Sequence, residues 1–179
     1  TDTGHRDSIM SSVFTEVGVG HAIDNGGGIG PNVVTQDFAT RSDYTSQITG
    51  VIFNDADGDR FYDIGEGVGG TTISAASGST TNWSSGGYNL DLAPGTHTLT
   101  FTGQLGTDKI KVELGTENIK VDLFDAGSFR SSVSATLVSG SALVLLGEKN
   151  INATGNTGSD LLIGNSGNNI LDGKSGADD

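Results

Sequence analysis

The chain has no cysteine among its 179 residues. That absence excludes disulfides, thiolate zinc sites and cysteine nucleophiles together, and it leaves the compartment open. Proline is almost missing as well, with 2 residues, so the 29 glycines do not read as collagen. Aromatic residues make up 6% of the chain and apolar residues 34%. That is a thin stock for one large core, and small glycine-punctuated β units fit it better. No stretch approaches the ~18 apolar residues of a membrane helix. Bases are scarce: 9 Lys and Arg stand against 22 Asp and Glu, a formal charge of −13. Nucleic acid and anionic membrane surfaces would repel such a chain, and cations are its natural partners. The first residue is Thr1 rather than Met, and Asp179 falls inside a repeat. The expectation is an internal piece of a longer protein.

Texture divides the chain into segments. Residues 1–40 carry a short helical stretch and two apolar runs, Val17–Ile23 and Val33–Phe38, joined by Asp24-Asn25-Gly26-Gly27-Gly28. That is a hairpin signal. Residues 41–47 are polar and linker-like. Residues 48–124 show short strands of period two, which predict a small β-sandwich. Ile110, Val112 and Leu114 face Ile119, Val121 and Leu123 in the clearest pairing, with Gly115–Asn118 turning one strand into the other. Tyr88, Leu90 and Leu92, then His97, Leu99 and Phe101, give two more strands across Pro94-Gly95. Residues 125–154 read as a strand-bearing spacer rich in Ser, Ala, Val and Leu, and residues 155–179 as a repeat.

The repeat is strict. Gly155-Asn156-Thr157-Gly158-Ser159-Asp160-Leu161-Leu162-Ile163 is followed by Gly164-Asn165-Ser166-Gly167-Asn168-Asn169-Ile170-Leu171-Asp172, then by Gly173-Lys174-Ser175-Gly176-Ala177-Asp178. At this glycine frequency, six glycines fall on such a template about 2 × 10^-5 of the time per register, which argues against an arbitrary glycine-rich tail. Gly155, Gly158, Gly164, Gly167, Gly173 and Gly176 would take tight turns, and their carbonyls would join Asp160, Asn169 and Asp178 around calcium. Asn156, Asn165 and Lys174 stand where the nonapeptide template G-G-x-G-x-D-x-U-x has its second glycine. Asn tolerates left-handed backbone there, and Lys does so less readily. These nonapeptides resemble the RTX, or hemolysin-type, calcium-binding repeats, which implies a parallel β-roll and export by a type I secretion apparatus. The signal for that export would lie beyond Asp179.

A second constellation precedes it. Asp55, Asp57, Asp59, Asp63 and Glu66 take positions 1, 3, 5, 9 and 12 of a twelve-residue calcium loop, with the Phe61 carbonyl at position 7. Five acids this close repel one another unless a cation neutralises them. Position 6, glycine in an EF-hand, is Arg60, and a left-handed non-glycine residue costs about 1–2 kcal/mol; Gly58 offers another place for the bend. The flanks are also not helical, since Ile48–Phe53 reads as a strand. The stretch Thr49–Gly67, with Gly87-Tyr88 and Leu92-Ala93-Pro94-Gly95-Thr96, resembles prealbumin-like modules of the bacterial adhesin B-repeat type, which implies a calcium clip in a rigid spacer.

The beginning of the chain supplies a third resemblance. Gly4-His5-Arg6-Asp7-Ser8-Ile9-Met10, Phe14–Gly20 and Thr35-Gln36-Asp37-Phe38 resemble the C-terminal end of a bacterial CAP-superfamily (SCP-like) domain over about forty residues. Of that family's cleft residues only His5 carries over, so no catalytic set is assembled in this piece. His97 reads as a half-buried strand residue and His21 as part of the first hairpin strand. No H-E-x-x-H, G-x-S-x-G or phosphate-binding loop is present. The expectation is therefore a mainly β chain: a CAP-type helix and hairpin fragment, a prealbumin-like β-sandwich, then the start of a parallel β-roll. Functionally it reads as a non-catalytic calcium-binding segment of a secreted, extracellular bacterial protein, folding on calcium outside the cell. The stabilising tail of an extracellular hydrolase and an adhesin segment stay open as alternatives, and so does the question whether the parent is an enzyme.

Overall fold

A computed structural model of the protein describes residues 3–9, 11, 13, 14, 16–23, 32–40, 42 and 44–179. The chain divides into two units, Thr1–Tyr44 and Thr45–Asp179. Among the described residues no helix is long and apolar enough to cross a membrane.

In the first unit the elements are α1 (Thr3–Ile9), β1 (Glu16–Ile23) and β2 (Asn32–Ala39). The strands pair antiparallel from Glu16 opposite Ala39 to Ile23 opposite Asn32, with His21 opposite Val34. Phe14 tilts against Phe38 with ring centres 5.5 Å apart, and the Thr40 hydroxyl donates to the Val13 carbonyl at 2.9 Å. Every residue of β1 is exposed, Val17, Val19 and Ile23 included. The expected Asp24–Gly28 loop lies outside the described residues, as does the side chain of His5, whose backbone belongs to α1.

The second unit holds thirteen strands: β3 (Gln47–Phe53), β4 (Thr72–Ala75), β5 (Gly78–Thr81), β6 (Gly87–Asp91), β7 (Gly95–Gly103), β8 (Gly106–Leu114), β9 (Ile119–Phe124), β10 (Ser128–Ser131), β11 (Ala135–Leu137), β12 (Ala142–Leu145), β13 (Ala153–Thr154), β14 (Leu161–Ile163) and β15 (Leu171–Asp172). They form a six-stranded sheet in the order β14-β12-β10-β9-β3-β6 and a seven-stranded sheet in the order β15-β13-β11-β8-β7-β4-β5. The inward residues of both sheets make one core, in which Phe101 of the larger sheet meets Tyr88 and Phe129 of the smaller edge to face at 5.9 and 5.5 Å. Each fully buried aliphatic or aromatic side chain contributes about 1.5–3 kcal/mol.

The period-two faces are where the sequence puts them, with Ile110, Val112, Leu114, Ile119, Val121 and Leu123 all buried. Their pairing differs. β8 pairs with β7 and β11, whereas β9 pairs with β3 and β10 in the opposite sheet. Residues 115–118 therefore arch from one sheet to the other instead of closing a hairpin. Gly115 and Asn118 fasten that arch to the start of β3: the Ser46 hydroxyl donates to the Gly115 carbonyl at 2.8 Å, and the Gln47 N–H to Asn118 Oδ1 at 2.8 Å. Alternation fixes the face a strand presents to the core but not its neighbour. The hairpin partner of β8 is β7, closed at Gly103 opposite Gly106.

Beyond β9 the sheets change character without interruption. β10 runs antiparallel to β9, and β12 and β14 then add to it in parallel. On the other sheet, β11, β13 and β15 stack in parallel, so Ala135, Ala153 and Leu171 stand side by side. Residues 125–154 thus supply the first coils of a stack that residues 155–172 continue. Two nonapeptides make one coil, their strands falling on alternate sheets.

Candidate metal-binding loop and repeat turns

The acidic loop leaves β3 and returns to it. A bridge between Phe53 and Gly67 closes its neck, aided by the Asn54 N–H donating to the Glu66 carbonyl at 3.0 Å. Within it the carboxylates of Asp55, Asp57 and Asp59 converge, their ligand oxygens all within 4.8 Å of one another. Acidic side chains curl the backbone around themselves. Asp55 accepts the N–H of Gly58 at 3.0 Å and of Arg60 at 2.9 Å, Asp57 that of Asp59 at 3.2 Å, and Asp59 that of Phe61 at 2.6 Å. Asp63 and Glu66 stand outside the three-carboxylate cluster. The two oxygens of Glu66 brace the loop, accepting the N–H of Ala56 and of Asp63 at 2.9 Å each. Phe61 donates its N–H inward and turns its ring toward Arg130.

The electrostatics of the loop are one-sided. Among the described residues no basic side chain forms an ion pair with these five acids. Desolvation, then the charges of Asp57, Asp59 and Glu66, hold the Asp63 carboxyl above its ordinary value. The bend uses both available positions: Gly58 has φ +79° and Arg60 has φ +63°.

Two residues that spacing alone did not single out fasten this loop from outside. Asp125, itself left-handed at φ +50°, accepts the N–H of Asp55 at 3.0 Å. Arg130 donates Nη1 to the Arg60 carbonyl at 2.5 Å. The sequence signal for Arg130 is its isolation as a single base between Lys120 and Lys149 in a stretch of small and apolar residues.

The repeat turns are built differently from the expectation. Glycine is required there for space more than for left-handed backbone. A Cβ on Gly155 would lie 2.5 Å from Asp160 Oδ2, one on Gly164 2.5 Å from Asn169 Oδ1, and one on Gly167 2.5 Å from the Lys149 carbonyl. Gly173 is crowded by Asp178, Gly176 by the Gly158 carbonyl, and Gly158 by Asn156 Oδ1 at 3.1 Å. Only Gly176 of these six has a positive φ.

Asn156 and Asn165 are not left-handed either; among the described residues the non-glycine positions with positive φ are Arg60, Asp125 and Lys174. Their side chains close turns instead. Asn156 Oδ1 accepts the Gly158 N–H at 2.7 Å and Asn165 Oδ1 the Gly167 N–H at 2.9 Å, a local side-chain turn. Lys174 does take the left-handed form, at φ +71°. Its Nζ and N–H both reach Asp172, at 2.7 and 3.0 Å, and these hydrogen bonds hold Asp172 below its ordinary pKa.

In the first two copies the sixth position reaches back to the second. Asp160 Oδ2 accepts the Asn156 N–H at 2.6 Å, and Asn169 Oδ1 the Asn165 N–H at 2.9 Å. The two edges of the stack then diverge. On one, Asp160 and Asp178 are neighbours, the Asp160 N–H donating to Asp178 Oδ1 at 3.0 Å. On the other, Asn169 Nδ2 donates to the Ile151 carbonyl at 2.7 Å, while Asn150 and Asn152 accept the N–H groups of Asn168 and Ile170 at 2.8 Å. That second edge is laced by amide side chains in place of carboxylates. No protein-family model matches the chain, and no curated protein matches it.

Proposed function

We propose that the chain is a non-catalytic calcium-binding segment of a secreted bacterial protein, ordered by calcium outside the cell. The observation that carries this reading is the convergence of Asp55, Asp57 and Asp59 within 4.8 Å with no basic partner among the described residues. Hard carboxylate and carbonyl oxygens on a curled loop suit calcium, and extracellular modules bind it at about 10^-4–10^-3 M. In this reading Asp63 and Glu66 close the set, with the Phe61 carbonyl as a further ligand. In a calcium-poor cytosol the acids repel one another; outside, binding adds to folding free energy by linkage.

The finer fold reading belongs to the same proposal. Residues 48–124 form a prealbumin-like module, and the stacked coils ending in Gly155–Asp178 are the start of an RTX-type β-roll, with type I export as its consequence. In that roll Asp160 and Asp178 with the carbonyls of Gly155, Gly158, Gly173 and Gly176 are the calcium side; Gly164, Gly167 and Asn169 lie on the amide-laced side. Residues 1–40 are the C-terminal part of a CAP-type domain, a reading supported by the exposed apolar residues of β1, which another surface would cover.

Calcium titration of the whole chain tests the proposal, followed by calorimetry and thermal melting in calcium and in EGTA. The expected result is saturable binding and a higher Tm with calcium. Asp55→Ala with Glu66→Ala should remove one class of sites and spare the other. No binding at millimolar calcium, with identical melts in EGTA, would sink the reading.

A further inference from the structure

Arg60 stands at the sixth place of the acidic loop, where loops of this spacing carry glycine for the sharp turn, and it is left-handed at φ +63°. A Cβ disfavours that conformation, so something must hold it. One holding group lies within the loop, the Asp55 carboxylate that accepts the Arg60 N–H at 2.9 Å; the other comes from a different strand and takes the carbonyl side. Arg130 on β10 is 8% exposed and donates Nη1 to the Arg60 carbonyl at 2.5 Å. Its guanidinium also lies over the Phe61 ring, 5.0 Å from the ring centre. From behind, its Nε is 3.8 Å from the carboxylate of Asp122, which is fully buried, takes the Val51 N–H at 2.9 Å and also pairs with Lys120 Nζ. The guanidinium is thus fixed on one side and grips the Arg60–Phe61 peptide on the other. A planar fork can do this; a flexible ammonium cannot.

We propose that Arg130 is the positioning residue of the acidic loop, supplying from outside the turn that glycine supplies elsewhere, and that it links the loop to the coil stack. The part concerning calcium rests on reading the loop as a calcium site. The link follows from where Arg130 sits. Its strand pairs in parallel with β12, Arg130 opposite Val144, so the residue that orders the loop also seats the first added strand of the stack. A cleft of about 400 Å³ lined by Asp59, Phe61, Arg130, Val144, Leu146 and Asn165 separates loop from stack. Asp125, in the turn before β10, holds the first acid of the loop. Ordering at either place favours the other, and the coupling is reciprocal.

The test uses the full chain and four variants: Arg130→Gln, Arg130→Lys, Arg60→Gly, and Arg130→Gln with Arg60→Gly. Without calcium, amide exchange at Arg60 and Phe61 should quicken about tenfold or more in both Arg130 variants, because their acceptors Asp55 and Asp59 lose alignment. Calcium affinity should fall about tenfold in both, and Arg60→Gly should restore most of it in the Arg130→Gln background. Affinity within twofold of the unaltered chain, or no rescue by Arg60→Gly, overturns the proposal. If Arg130→Gln unfolds the chain by taking one of the two cations from the buried Asp122, which keeps Lys120, the same series in an Asp122→Asn background decides the matter. Should the unaltered chain bind no calcium, the loop reading falls, and the exchange rates alone settle the role of Arg130.

Discussion

The N–H of Asp160 donates to Oδ1 of Asp178 at 3.0 Å, so one rung of the coil stack is tied by an acid where the neighbouring rung is tied by an amide. Asp160 is 2% exposed and accepts both the N–H and the Nδ2 of Asn156, at 2.6 and 3.1 Å. Asn169 does the first of these tasks nine residues later with an amide oxygen. Replacing Asp160 with Asn therefore imitates a solution the chain already uses, and should cost under about 1 kcal/mol in the absence of calcium while removing calcium dependence from this edge. Asp160→Ala takes the acceptor from the half-buried Asn156 N–H, while Asn156 Nδ2 keeps the Gly140 carbonyl at 2.8 Å, and should cost about 1–3 kcal/mol. Urea melts of both variants in EGTA measure the difference; equal costs would contradict this account of the turn.

Gly155 and Gly115 make a matched pair of substitutions. A Cβ on Gly155 would stand 2.5 Å from Asp160 Oδ2 and 2.8 Å from the Gly173 carbonyl, whereas one on Gly115 meets nothing within 4 Å. Neither glycine has a positive φ. Gly155→Ala should destabilise by about 1–3 kcal/mol, the range of overpacking. Gly115→Ala should be neutral or gain up to about 1 kcal/mol from a less flexible unfolded chain. Chemical denaturation gives both values, and a neutral Gly155→Ala would show that the repeat's first glycine is not held by crowding.

The acidic loop was legible because everything that makes it converge is local: acids at alternate positions, each capping an N–H two to five residues on. Its supports were not. Asp125 and Arg130 act on residues 70 positions away, and no spacing rule reaches that far. The same limit explains the strands. The buried faces of Ile110–Leu114 and Ile119–Leu123 follow from alternation, yet both hairpin and arch put those faces in the core, and only the long-range pairing of β9 with β3 selects the arch. The coil stack begins at Ser128, before the glycine pacing starts, because β10 and β11 need only small or apolar inward residues such as Phe129 and Ala135 to accept a parallel neighbour. At the second repeat position the sequence suggests asparagine for its tolerance of left-handed backbone, whereas the turns use its side-chain oxygens, which cap Gly158 and Gly167.

Asp63 gives the acidic loop a measurable pH signature. Desolvation and the charges of Asp57, Asp59 and Glu66 raise its folded-state pKa above the unfolded value near 3.9. A carboxyl raised on folding favours the folded form when protonated. Its contribution is complete below the unfolded pKa and is lost as pH rises through the folded one, the reverse of a salt-bridged acid. The calcium-free loop should therefore loosen as pH climbs out of the acid range, and Asp63→Asn should remove that dependence and raise Tm in EGTA at neutral pH. A bound divalent cation reverses the local field, so calcium should pull the Asp63 titration midpoint down and release a fraction of a proton. Carbon-13 titration of the Asp63 carboxyl, with and without calcium, reads both shifts; a midpoint that calcium leaves in place would remove Asp63 from the ligand set.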